Sequence, residues 1–281
     1  MKNKIDFLKL DNISKQIRAT CVQMAHDSKH GHLKSALTSC KILVNLYWNF
    51  LNLNPKNIFS QNRDRFFMSK GHGVSALYAV LAKKKFIPLK SLNTYCISNS
   101  SLPDHPCKHS LNILESSSGS LGHCLGIATG SLYALNLKGI NSKIAVLLSD
   151  GECNEGSVWE SAMFAASKQL SNLLVIVDYN GFQAVGKSDE IMGFTSLEDK
   201  FKSFGWNAIT IDGEKSKNFN SAFKLYDRSL KKPTAIIAKT KTGISFMNND
   251  NLWHYRVPSD LDLEKSIKEL KVKPIHLMKH S

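Results

Sequence analysis

The sequence predicts an α/β protein, a doubly wound parallel sheet with helices on both faces. Three observations carry this. From residue 143 onward, apolar strand-like runs alternate with helical stretches in regular order. The runs 143–148 and 173–178 are almost wholly apolar, as strands buried on both faces must be. Connections between parallel strands of this kind are right-handed, which winds the sheet in both directions.

Taken in order, Ile13, Ile17, Cys21 and Met24 recur at helical spacing and predict a helix over 12–29, with Asp11 or Asn12 as its cap. A second helix is predicted over 36–52. RDRFFMSKGHG (63–73) reads as a short strand, a turn, and then a helix through Ala82. The stretch 97–118, rich in Ser, Pro and Asn, has no period and is expected to be loop. From Leu121 a helix begins in which Gly122, Gly126, Ala128 and Gly130 permit close packing. Then follow strand 143–148, helix 157–169, strand 173–178, a long polar loop at 182–202, strand 206–211, helix 217–230 and strand 234–239. No linker or repeat divides the chain, so residues 1–281 are expected to form one domain, with about 259–281 as a polar, helical tail.

The bulk numbers narrow the class. The net charge of +14 comes mostly from lysine spread along the chain, with only five arginines; nucleic-acid readout uses clustered arginine, so it ranks last. No run of about 20 apolar residues predicts a membrane span. MKNKIDFLKLDN lacks the apolar core of a secretory signal, so a soluble cytoplasmic protein is expected. Six cysteines show no CxxC pairing and read as reduced thiols, with no zinc site.

Ligands of open α/β sheets gather beyond the carboxyl ends of the strands. Asp150 ends one strand, in SDGECNEGSVWE (149–160), and Asn180 follows the next, in VDYN. The two should lie on neighbouring loops, where hard oxygens, with a backbone carbonyl near Phe182, suit Mg²⁺ or Ca²⁺. The N–H groups at Gly151 and at the following helix suit phosphates. Asp at a strand end is common and DG is a turn signal, so spacing alone leaves the metal site open. GxGxxG and Walker A sequences are absent, which sets aside two common nucleotide-binding readings.

DGECNEGSVWESAMFAA with the later VDYN resembles the thiamin-diphosphate motif of transketolases, and in particular the N-terminal subunit of the split, two-gene type. The resemblance runs from Arg18 to about Pro258. It implies the thiamin-diphosphate-binding fold, thiamin diphosphate as cofactor and Mg²⁺ as metal, with Ca²⁺ or Mn²⁺ as substitutes. Asp150, Asn180 and the Phe182 carbonyl would hold the metal, and Gly151 would donate to the diphosphate. His72, in the SKGHG stretch, would face the diphosphate. GSLGHCLG resembles the family turn that lies against the aminopyrimidine, which brings in Gly119, Ser120 and Leu121. Glu155 and Glu160 match acids at the subunit interface that link the cofactors. His32 (in GHL), His105 (in DHP) and His254 (in WHYR) fall on positions around the donor sugar and thiazolium. Neutral histidines there can bond sugar hydroxyls and move protons. His109, His123, His276 and His280 receive no role.

The implied activity is transfer of a two-carbon ketol unit from a ketose to an aldose. The family's activating glutamate and phosphate-clamping arginines belong to a second, pyrimidine-binding domain. The resemblance therefore implies a separate partner subunit, in an α₂β₂ assembly, and an isolated chain without turnover. Departures from the family pattern (Lys34 for a small residue, Ser149, Cys107, Cys124) put the ordinary pentose-phosphate substrate in doubt and leave a specialised sugar pathway open beside it. Lys34 has two readings, contact with an anion or exposure to solvent. Two rivals stand beside this: the α-subunit of a 2-oxo acid dehydrogenase or decarboxylase, and a degenerate, non-catalytic subunit.

Overall fold

The computed structural model describes residues 5–227, 231–248 and 250–277. Strands β1 (Arg65–Met68), β2 (Ile144–Ser149), β3 (Leu173–Tyr179), β6 (Asn207–Asp212) and β7 (Thr234–Lys239) form one five-stranded sheet of order β1-β2-β3-β7-β6. Every pairing in it is parallel. The chain adds β1, β2 and β3 in one direction, jumps to the far edge for β6, and returns to insert β7 beside β3. The winding thus reverses between β3 and β7, the place where such sheets leave a crevice.

Alternation along the strands assigns each side chain to one of two cores. Ala145 and Leu147 of β2, Leu174 and Ile176 of β3, and Ile236 and Ala238 of β7 pack with α1 (Phe7–Ser28), α2 (Leu33–Asn45), α3 (Val74–Lys83) and α8 (Ser216–Asp227). Val146, Leu148, Val175, Val177 and Ile237 face α4 (His123–Leu137), α5 (Gly156–Ser167) and α7 (Leu197–Ser203). Each such aliphatic side chain contributes roughly 1.5–3 kcal/mol on burial. This is the three-layer arrangement the apolar strands predict.

Helix α1 begins earlier than expected. Its cap is Asp6, which accepts from the Lys9 N–H at 3.0 Å, and not Asp11 or Asn12, because Leu10 already belongs to the buried stripe. The second helix starts at Leu33 and ends in a π-helical turn, Leu46–Phe50. Residues 97–118 contain neither helix nor strand. The stretch 182–202 is not the long loop expected of it. It holds a small hairpin, β4 (Phe182–Gln183) with β5 (Gly186–Lys187), then α6 (Ser188–Met192) and α7. Ser196 caps α7, and Leu197 and Phe201 anchor it; their spacing was hidden by the surrounding lysines and acids. Of the helix predicted over 217–230, the last three residues lie outside the described residues.

Residues 260–270 form α9, capped by a reciprocal Ser259–Asp262 pair and packed through Leu270 into the α1 core. His280 lies outside the described residues. Among the described residues, no helix is long and apolar enough to cross a membrane.

Candidate active site

Four chain segments meet beyond the carboxyl ends of β1, β2, β3 and β7, joined by two buried carboxylates. Lys70, after β1, and Asp178, in β3, form an ion pair with both side chains fully buried. Asp178 also accepts from Thr38 Oγ1 at 2.7 Å, from Ser39 Oγ at 3.3 Å and from Thr240 Oγ1. Lys70 Nζ donates to the Ser35 carbonyl at 3.2 Å. Desolvating two charges is expensive, and this many partners is what makes such a pair tolerable. The pair ties the first turns of α2 to the ends of β1, β3 and β7.

Glu152 is the second tie. Its carboxylate accepts from Ser69 Oγ, from the Gly122 N–H at 2.8 Å and from the Ser149 N–H at 3.3 Å. Burial raises its pKa, which those three donors counter. Gly122 has φ +81°, and a Cβ there would lie 2.5 Å from Ser157 Oγ and 2.7 Å from Glu155 Cβ. The turn before α4 is thus held by a carboxylate and passable only to glycine.

These loops enclose a cavity of about 350 Å³. It is lined by His32, His72, His105 and His254, by Gly119, Leu121, Gly151 and Glu155, and by Asn180 and Phe182. Three of the residues singled out in the sequence do not line it. Ser120 and Glu160 are exposed, and Asp150 is buried just outside it. A larger space of about 480 Å³, near Phe59, Arg63 and Arg65, lies by the start of β1, away from every one of these groups.

The histidines form one cluster. His32 has ring centroids 5.8 Å from His72, 5.8 Å from His105 and 5.2 Å from His254, and His72 is 5.5 Å from His254. Desolvation first, then repulsion from Lys70 and from the neighbouring histidines, lowers the pKa of His72 well below the usual value; desolvation and neighbouring positive charge likewise lower that of His32 and bring His254 to about 4. These three are therefore neutral at pH 7, each with one donor and one acceptor nitrogen. His32 caps α2 with φ 61°, a left-handed conformation uncommon outside glycine, and its Nδ1 is buried without a partner. Asp104 sits 3.2 Å from both His30 Nε2 and His105 Nδ1, orienting His105. His123 is exposed at the start of α4, its Nδ1 3.0 Å from the Leu121 carbonyl.

The two carboxylate oxygens of Asp150 are unequally satisfied. Its Oδ2 accepts from the Gly181 N–H at 3.0 Å and from Ser188 Oγ at 2.8 Å, whereas Oδ1 is buried with no partner. Desolvation lifts its pKa to about 6. Asn180 Oδ1 accepts from the Phe182 N–H at 2.9 Å, which turns the Asn180–Phe182 loop over Asp150. The donor set, one carboxylate, one amide and a carbonyl, suits a hard divalent cation completed by phosphate oxygens. Among the described residues, no group of three His, Cys, Asp or Glu side chains could hold a metal by itself. A Cβ on Gly151 would come within 2.8 Å of Gln183 Cγ, so this backbone approaches its neighbour as closely as glycine allows.

Lys34 is not a solvent lysine: only 3% of it is exposed. Lys70, Asp178, Glu152 and Ser188 went unrecognised in the sequence. The first three lie inside the quoted motifs, and a charge bordering an apolar strand was the available signal. Ser188 follows a hairpin that the sequence did not reveal.

Comparisons with known proteins identify the family. The family model described as transketolase, thiamine diphosphate binding domain, matches residues 10–257. The chain is 36% identical over 270 residues to a subunit of the apulose-4-phosphate transketolase of Actinobacillus succinogenes, covering 95% of this chain and 98% of that one. It is 36% identical over 213 residues to a 6-deoxy-6-sulfo-D-fructose transketolase subunit of a Clostridium species, covering 76% and 78% respectively. The crystal structure of Campylobacter jejuni transketolase superposes with a TM-score of 0.87 at 26% identity. That match takes in 96% of this chain but only 44% of the Campylobacter chain.

Proposed function

The chain belongs to the transketolase family of thiamine-diphosphate-binding domains, and on that premise we propose that it is the diphosphate- and Mg²⁺-holding subunit of an enzyme that transfers a two-carbon ketol unit from a ketose to an aldose. The observation that carries the reading is the convergence of four histidines on one cavity beside a buried carboxylate with an unpartnered oxygen. Thiamin diphosphate, when bound, supplies the electron sink that carbon–carbon cleavage and formation require. Everything else falls to protein groups.

Asp150, Asn180 and the Phe182 carbonyl hold the metal, and Gly151 offers its N–H to the diphosphate. His72 faces the diphosphate, while His32, His105 and His254 bond the sugar hydroxyls. With His32 and His254 neutral, each can take a sugar hydroxyl proton at one ring nitrogen while the N–H of the other nitrogen passes its proton on, so no net charge is left on the ring. Gly119 and Leu121, on either side of the exposed Ser120, form the floor under the aminopyrimidine. Glu155 and Glu160, both exposed, meet the partner subunit.

That partner supplies the pyrimidine-binding half, in an α₂β₂ assembly. One feature supports this: relatives matched over nearly their whole length are named as transketolase subunits. The relatives named for apulose 4-phosphate and for a sulfonated fructose favour a specialised sugar over the pentose phosphates. The family match sets the 2-oxo acid dehydrogenase reading aside. A donor–acceptor screen on the co-expressed subunits tests the proposal: two-carbon transfer between a ketose and an aldose supports it, and release of CO₂ from a 2-oxo acid in its place refutes it.

A further inference from the structure

Lys34 poses a problem that the site described above does not solve. It stands in the first turn of α2, and only 3% of it is exposed. Its ammonium lies 3.2 Å from the centroid of the Phe182 ring, and its hydrogen bond is a long one, 3.4 Å to the Asp250 carbonyl. Among the described residues it makes no carboxylate ion pair. A buried ammonium with three N–H donors and one weak acceptor is under-compensated. The aromatic face offsets part of the desolvation, and an anion is the remaining partner able to offset the rest.

Space for that anion is present. A separate cavity of about 240 Å³ is lined by Lys34, Thr38, Asn180, Phe182, Thr240 and Thr242, together with Asn248 and the exposed Lys241. It lies beyond the ends of β3 and β7, in the crevice where the winding of the sheet reverses. It shares Asn180 and Phe182 with the histidine-lined cavity, so the Asn180–Phe182 loop is the common wall. Lys34 does not line the histidine side. Its ammonium lies against the Phe182 ring, and the Asp150 carboxylate attracts it through that loop.

We propose that the Lys34 ammonium is a fixed positive charge for the terminal phosphate group of the bound diphosphate, reaching it past the Asn180–Phe182 loop from the first turn of α2. The assignment rests on the functional reading above and adds to it a residue that neither the metal nor the histidines account for.

The test is a ³¹P NMR titration of the full chain, with Mg²⁺, against thiamin diphosphate, which is suited to weak binding. Lys34→Met is expected to weaken binding tenfold or more, and Lys34→Arg to recover most of the loss. Wild-type affinity in Lys34→Met would overturn the assignment. So would an unchanged thiamin diphosphate affinity with weakened binding of ribose 5-phosphate, since the phosphate recognised would then be the sugar's. Circular dichroism and melting of both variants separate misfolding from lost contact: Lys34→Arg folded as the wild type yet binding no better than a folded Lys34→Met also counts against the proposal. A wild-type chain that fails to bind thiamin diphosphate, on its own and with its partner, overturns the functional reading and this assignment together.

Discussion

The backbone N–H of His32 donates to the carbonyl of His254 at 2.8 Å, joining two histidines from opposite ends of the chain. The bond lets His32 hold its left-handed φ and start α2 while its ring turns into the cavity. Gly31 belongs to the same joint, since a Cβ there would meet the Tyr255 carbonyl at 2.7 Å. The strain at His32 is thus maintained by the segment that carries the other histidine.

His254→Ala in the assembled enzyme is expected to lower kcat by about 10²–10⁴-fold, the range for a positioned proton-transfer group. Because the His254 pKa lies near 4, the wild-type kcat should show no limb from His254 between pH 5.5 and 8. A pH–rate profile with an inflection near 6.5 that disappears in His254→Ala would contradict that assignment.

Asp150→Asn should have two opposite effects. The folded pKa, near 6, stands above the ordinary carboxylate value of 3.8, so the folded state binds more protons than the unfolded state between those pH values. Metal-free stability contributed by this group is therefore present at low pH and is lost as pH rises through 6. Neutral Asn removes the cost, so the metal-free variant should be more stable at pH 8 by about 2–3 kcal/mol on the order-of-magnitude scale of 1.4 kcal/mol per pH unit. The same variant should lose Mg²⁺-dependent retention of thiamin diphosphate. Denaturant melts in EDTA, paired with cofactor binding in Mg²⁺, check both arms, and unchanged retention sinks the metal assignment.

Glu152→Ala leaves the Gly122 and Ser149 N–H groups and the Ser69 hydroxyl without their acceptor. With about 1–3 kcal/mol for each buried group left unpaired, a loss of roughly 3–5 kcal/mol is expected in urea unfolding. Glu152→Gln, which keeps one acceptor oxygen, should lose less. A near-neutral Glu152→Ala would show that the turn before α4 is held by other contacts.

Gly122→Ala should displace Glu155, whose Cβ stands 2.7 Å from the added methyl, besides straining a left-handed residue. Because Glu155 is proposed to meet the partner, the variant is expected to weaken assembly at least tenfold, along with a lower melting temperature of the isolated chain. Analytical ultracentrifugation with the partner subunit measures this directly.

The parallel sheet was legible because buried strands must be apolar on both faces, and 143–148, 173–178 and 234–239 are. Helix α7 and the Phe182–Lys187 hairpin were not, since short amphipathic pieces rich in Lys and Asp carry little periodic signal. At the site, Asp150 and Asn180 could be paired by topology alone, each at the end of a neighbouring strand. The four histidines could be joined only through resemblance, because residues 32, 72, 105 and 254 have no common spacing. Lys70 with Asp178, and Glu152, were invisible in their roles: a buried ion pair and a carboxylate bonding two backbone N–H groups are decided by tertiary contacts.

The central claim is that this chain supplies one half of a thiamin diphosphate site. Ketol transfer measured with thiamin diphosphate and Mg²⁺, on this chain by itself, on the isolated pyrimidine-binding partner and on the two together, tests it most directly. Turnover is predicted only in the mixture, and Asp150→Ala should abolish it there. Full ketol transfer by this chain by itself would contradict the claim.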